Sequence, residues 1–131
     1  MEFLSVIVAA AGSFIFGAVW YMALAKPWMA ASGVEVGADG QPTNGSDPLP
    51  YILSAVTSLL VAGMMRYVFA ERGIETILGG IHAGFGVGLF FITPWLMMTY
   101  AFEGRPFKLT LINGGYATIG CAIIGAILAL F

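Results

Sequence analysis

The residues whose side chains could do chemistry are few and widely separated. The chain has one histidine, one cysteine, seven acidic and five basic residues. Hydrolytic chemistry needs a nucleophile beside a base, a pair of carboxylates or a set of metal ligands, and none occurs at usable spacing. The sequence therefore predicts a protein that is not an enzyme.

The same residues give no pattern for a metal or a cofactor. His82 as a haem or metal ligand would have only methionines as partners, so a hydrogen-bonded packing role is favoured. Asp39 and Asp47 do not have the ligand spacing of a calcium loop. Cys121 has no second cysteine with which to form a disulfide within the chain. We expect neither a cofactor nor a bound metal.

Two polar features remain as candidates for recognition. Glu103 and Arg105 flank Gly104, so they could form a local ion pair that shapes a tight turn. The alternative for Arg105 is recognition of an anionic head group or ligand. Asn113 is an amide inside an apolar segment, for which an interhelical hydrogen bond is the first interpretation and a ligand contact the second.

The composition indicates which solvent surrounds these residues. Of 131 residues, 60% are hydrophobic and 9% are charged, whereas soluble proteins carry about 25% charged residues. So few charges cannot form the polar shell of a soluble domain, which makes lipid the expected surroundings. The formal net charge of −2 leaves no basic patch, so nucleic acid is not an expected partner.

Four segments are long and apolar enough to cross a bilayer. A spanning helix needs about 20 apolar residues, because each residue rises about 1.5 Å through a core about 30 Å thick. The alternating pattern of a membrane barrel is absent. The sequence predicts an all-α integral membrane protein, a single transmembrane domain with four helices in a compact bundle, at about residues 3–25, 49–70, 77–100 and 109–131.

One long polar segment, 26–48, joins the first two helices. Lys26 and Pro27 should end the first helix, and the glycines and prolines that follow predict turns, not a domain. Pro94 lies inside the third helix and should kink it. Lysines and arginines are divided almost evenly between the two sides, so the orientation stays open.

Aromatic residues gather on the side that bears the first and third loops. An aromatic belt is the first interpretation, because indole and phenol rings prefer the head-group level. Belts normally form at both interfaces, so the one-sided excess also indicates a surface for a lipid, a ligand or a partner. The residues predicted for this surface are Trp20, Tyr21, Trp28, Trp95, Glu103, Arg105, Asn113 and Tyr116.

Three strings give the chain a resemblance to a known family. They are Phe-Gly-Ala-Val-Trp-Tyr at 16–21, Phe-Glu-Gly-Arg-Pro at 102–106 and Asn-Gly-Gly-Tyr at 113–116. In this order they resemble the bacterial family called domain of unknown function 1761, over nearly the whole chain. The resemblance implies a small four-helix protein of the bacterial inner membrane and leaves its activity open. The glycine- and proline-rich first loop departs from the family.

Small residues recur every four positions on three of the predicted helices. Such faces let helix backbones approach closely, which matters because lipid gives little hydrophobic drive to helix association. Packing within the chain and packing between chains both remain open, so a homo-oligomer is a hypothesis. The residues predicted to pack in this way are Ser13, Gly17, Gly80, Gly84, Gly88, Cys121 and Gly125.

Two functions follow as hypotheses. The first is a non-catalytic membrane protein, surrounded by lipid, that assembles with itself or as an accessory subunit of a larger membrane complex. The second is a small channel or carrier for a neutral or lipid-like solute. The ionisable residues lie in loops or near helix ends, whereas coupled transporters usually place one near mid-membrane, so transport is the weaker hypothesis.

Overall fold

The computed structural model describes residues 2–131, and side chains from residue 3 onward. The predicted all-α fold with four membrane-spanning helices is confirmed, and no strand occurs within the described range. A π-helical segment, Val87–Ile92, joins the helices Ile77–Gly86 and Thr93–Phe102, and together they form the third span, Ile77–Phe102. The helices are α1 (Glu2–Ala23), α2 (Ala25–Ser32), α3 (Leu49–Arg72), α4 (Ile77–Gly86), α5 (Thr93–Phe102) and α6 (Phe107–Ala129).

The polar segment after the first span is more ordered than its composition predicts. The short helix α2 begins at Ala25 and contains Lys26 and Pro27, which were expected to end a helix. Proline is tolerated there because the first-turn N–H groups have no partner within their own helix. Beyond α2 the chain makes a small hairpin, in which the Gly37 N–H donates to the Gln41 carbonyl at 2.8 Å.

The third span changes its winding just before Pro94. The ring nitrogen of proline cannot donate to the preceding turn, and a kink was expected there. In the structure, the N–H of Thr93 donates to the carbonyl of Gly88, five residues back, as in a π-helix. The Thr93 hydroxyl donates to the same carbonyl at 2.7 Å, so the helix continues through the irregular turn.

The last helix, α6, is the centre of the bundle, and α1, α3, α4 and α5 all contact it. Gly80, Gly84 and Gly88 pack against α6, where they face Gly125, Cys121 and the backbone around Thr118. A Cβ atom at any of these three glycines would overlap that backbone. The glycine face of the third span is therefore seated within the chain.

The first span packs on another face of α6 through its small residues. Ser13 is buried, and Gly17 lies under the ring of Tyr116, where an added Cβ would come within 2.8 Å of the ring. Ala9 and Ala62 are fully buried where α1 meets α3. At the same end, the Arg66 guanidinium donates to the carbonyl of Leu128 at 3.1 Å, which satisfies a carbonyl of the last turn of α6.

The second span, α3, packs on the bundle near its C-terminus and diverges from it near its N-terminus. The buried residues of α3 are Ser58, Ala62, Met65 and Phe69, all in or next to its second half. Every residue from 49 to 57 is exposed. The helices α1 and α3 therefore separate on the side of the first and third loops, which opens the side of the bundle.

Candidate functional site

Polar side chains from three helices meet near the end of the first span. The Tyr21 hydroxyl donates to Asn113 Oδ1 at 2.6 Å, and Asn113 Nδ2 donates to the Tyr100 hydroxyl oxygen at 2.8 Å. The indole N–H of Trp20 donates to the Ile112 carbonyl at 2.9 Å. These bonds tie α1, α5 and α6 together, as expected for polar groups between membrane helices.

Aromatic rings pack around this amide. Tyr21 and Tyr116 meet edge to face with their centroids 5.4 Å apart, a favourable geometry for aromatic pairs. Gly115 leaves room for Trp20, because a Cβ there would lie 2.8 Å from the indole ring. We call Trp20, Tyr21, Tyr100, Asn113 and Tyr116 the aromatic-amide cluster.

The polar contacts of the cluster hold three helices together. Its side chains are half-buried, and the polar atoms of Tyr21, Asn113 and Trp20 are engaged with neighbouring helices. The sequence prediction did not select Tyr100. The position of Tyr100 at the end of the third span, on the same side of the membrane as Tyr21, could have identified it.

The fold places the other residues of the predicted surface in separate parts of the molecule. Trp95 is 69% exposed on the outside of α5, apart from the cluster. Arg105 Nε and Glu103 Oε1 form an ion pair of 3.0 Å in the turn between α5 and α6, where Gly104 has a φ of 74°. The same guanidinium donates to the Ser32 carbonyl at the end of α2. Arg105 therefore holds α2 as well as its own turn.

The helix α2 is held against the bundle at its middle and at its C-terminal end. Trp28 meets Tyr21 edge to face, with centroids 6.0 Å apart, and Ala31 is buried. With the Arg105 bond at Ser32, these contacts fix the position of α2 against the bundle.

The N-terminal part of α2 lines a cavity of about 360 Å³. The tip of the hairpin after α2 forms its other wall. This site was not predicted from the sequence, because it forms only when the segment 26–48, which was predicted to contain turns, folds into α2 and the hairpin. We call it the interface cavity; its lining includes Met22, Lys26, Pro27, Met29, Gly40 and Gln41.

A second cavity, of about 270 Å³, lies between α1 and α3 where the two helices separate. Its lining is apolar apart from the hydroxyl of Ser58. Ala11 and Phe14 lie near the middle of the first span, so this cavity is at mid-membrane depth. We call it the membrane cavity; its lining includes Ile7, Ala11, Phe14, Ile15, Ser58 and Leu59.

Both cavities lie along the same face of α1. At about 100° per residue, Ala11, Ile15 and Met22 fall within an arc of about 40°. Ala18 is exposed and lies on this face between the two cavities. We call the two cavities and the face of α1 that connects them the lateral groove.

His82 does not have the hydrogen-bonded packing role expected for it, since its side chain makes no hydrogen bond with a described residue. His82 is exposed on α4, and Cys121 is buried against Gly84. Within residues 2–131, no three His, Cys, Asp or Glu side chains come together as a metal-binding group.

Four apolar spans, three of which pack against the fourth, α6, define this chain as a multi-pass helical membrane protein. It belongs to the DUF1761 family, described as a protein of unknown function, and the match covers residues 4–129. No curated protein and no solved structure is significantly similar to it.

Proposed function

We propose that this chain is a non-catalytic protein of the bacterial cytoplasmic membrane that binds a lipid-like molecule in the lateral groove. The observation that carries the proposal is the separation of α3 from α1, which leaves an apolar cavity open to the side at mid-membrane depth. The helical spans support a cytoplasmic membrane, since bacterial outer-membrane spans are typically barrel strands.

The groove differs from the rest of the bundle in how its helices pack. Elsewhere small residues bring backbones together, as at Gly84 against Cys121. Between α1 and α3 the small residues Ala11 and Ala55 instead face a cavity. Because a lipid tail gains little hydrophobic energy by leaving other tails, the groove would hold it by close van der Waals contact.

A non-catalytic role is supported by the state of the polar groups. The amide of Asn113 is bonded on both sides by tyrosine hydroxyls, and Arg105 is shared between Glu103 and Ser32. Because these groups are already engaged in holding helices together, they are not available to activate a substrate. This favours a binding protein over an enzyme.

Filling the membrane cavity should remove bound lipid. Ala11→Trp places a large ring in the space between α1 and α3, and we expect the phospholipid retained by the purified protein to fall several-fold. The measurement is lipid mass spectrometry on protein purified in mild detergent, normalised to protein amount.

The matched control is Leu111→Trp on α6. Leu111 is 61% exposed and does not line either cavity, so this variant should retain as much lipid as the parent protein. Thermal unfolding of both variants, followed by circular dichroism, checks that they fold. Equal retention by a folded Ala11→Trp variant would contradict the proposal.

Assembly with copies of itself, or within a larger membrane complex, is a second candidate. The observation that favours it is the first half of α3, where residues 49–57 are exposed on every side. The glycine face of the third span does not contribute, because it is seated on α6. A pore for a neutral solute, built from several chains, would need the same assembly.

Native mass spectrometry in mild detergent tests this second candidate. Self-assembly predicts particles whose mass is a multiple of the 13.8 kDa chain. A single species at the mass of one chain, unchanged as the protein concentration is raised, would count against self-assembly and against the pore.

A further inference from the structure

We propose that the lateral groove binds one phospholipid, with its phosphate beside Lys26 and one acyl chain along α1. This inference rests on the proposed function and adds the chemistry of the head group. The length of the groove, the free charge at its mouth and the contacts that hold α2 in place support it.

The length of the groove matches one leaflet. Ala11 in the membrane cavity and Met22 in the interface cavity are eleven residues apart on α1, which corresponds to about 16 Å along the helix axis. Half of a hydrocarbon core about 30 Å thick is about 15 Å. A chain lying along this face would therefore run from the interface to the bilayer centre, as an acyl chain of one leaflet does.

The interface end of the groove carries an unused positive charge. Lys26 lines the interface cavity, and the structure gives it no ion pair with any described residue. Arg105, by contrast, is engaged by Glu103 and Ser32. A lysine ammonium acts as a point charge for phosphate, so Lys26 is the group that would attract a lipid phosphate.

The carboxylate of Asp39, next to the hairpin tip, is turned into the hairpin. Asp39 Oδ1 accepts the backbone N–H of Gln41 at 3.0 Å and lies close to Gly37. Gln41 itself lines the cavity opposite α2, where its amide could donate to a phosphate or glycerol oxygen. The mouth of the groove thus offers an ammonium and an amide above an apolar channel, which favours a lipid over free phosphate.

Lys26 is held on a fixed element. It lies two residues before Trp28, whose ring meets Tyr21, and the end of α2 is tied by Arg105 at Ser32. A charge on an anchored helix loses less freedom on binding than one on a mobile loop. The aromatic-amide cluster therefore serves the site indirectly, by fixing α2.

Replacing the charge tests the assignment. Native mass spectrometry would compare binding of dioleoylphosphatidylglycerol with that of dioleoylglycerol, which has the same chains and no phosphate. The parent protein should prefer the phospholipid, and Lys26→Gln should reduce this preference about fivefold, since a lysine near a membrane surface contributes about 1 kcal/mol. Lys108→Gln is the control, because Lys108 is exposed on the same side and lines neither cavity.

The outcomes separate this inference from the proposed function. An unchanged preference in Lys26→Gln, with binding of both lipids still lost in Ala11→Trp, would overturn the phosphate assignment and leave the lipid-binding function intact. Equal loss of preference in Lys26→Gln and Lys108→Gln would reduce the effect to general surface charge and also overturn it. Full binding of both lipids by Ala11→Trp would overturn the groove itself.

Discussion

Gly84→Ala is expected to destabilise the folded protein by about 2 to 3 kcal/mol, the upper range for overpacking a core. A Cβ atom at Gly84 would overlap the carbonyl of Cys121 and come within 2.9 Å of the Ala122 Cα. These are backbone atoms of the central helix, so no side-chain rotation relieves the overlap. The change forces α4 away from α6, and the close packing that holds membrane helices together is lost along that contact.

Gly86→Ala is the matched control on the same helix. No atom lies within 4 Å of the position that its Cβ would take, and alanine has the higher helix propensity by up to about 1 kcal/mol. We expect Gly86→Ala to be neutral or slightly stabilising. The measurement is unfolding by sodium dodecyl sulfate in mixed micelles, followed by far-ultraviolet circular dichroism. If both variants unfold at the same detergent fraction, the packing of α4 on α6 is not as described.

Asn113→Leu is expected to cost about 1 to 3 kcal/mol, since it removes two half-buried hydrogen bonds that contribute about 0.5 to 1.5 kcal/mol each. The Tyr21 hydroxyl would lose its acceptor and the Tyr100 oxygen its donor. Both lie between helices, where water cannot easily replace the amide. The same detergent unfolding assay would show the loss as an earlier transition.

A double-mutant cycle separates this hydrogen bond from lost packing. Tyr21→Phe removes the hydroxyl and keeps the ring, so the packing of Tyr21 on Tyr116 remains. The double variant should lose less stability than the sum of the two single variants, by about 0.6 to 1.7 kcal/mol, the range for such bonds between membrane helices. Additive losses would show that Tyr21 and Asn113 do not interact.

Several features of the fold could be predicted because they depend on composition over a window of residues. Long uncharged segments must be helical in lipid, since every backbone polar group has to be paired within its own segment. The small residues at Gly80, Gly84 and Gly88 also identified a face that allows close approach of another backbone. These properties belong to each segment alone and do not depend on its neighbours.

The partners of those faces could not be predicted. Three helices carry small residues at the same four-residue spacing, so the pattern does not say which face meets which. Only the fold seats Gly84 on Cys121 and leaves Ala11 beside a cavity. In the same way, Asn113 was recognisable as a polar group that needs a partner, whereas Tyr21 and Tyr100 are brought to it from α1 and α5 by the bundle.

The candidate groove depends entirely on tertiary structure. Lys26 and Pro27 suggested the end of a helix, but contacts of Trp28 and Arg105 with distant parts of the chain stabilise a further helix there. The membrane cavity exists because α3 packs through its second half only, and no local pattern in residues 49–57 encodes that divergence. The sequence by itself determined the membrane-spanning helices, since lipid leaves an apolar chain few alternatives. Only the tertiary structure decided where those helices touch and where they part, because that depends on how side chains from different spans fit together.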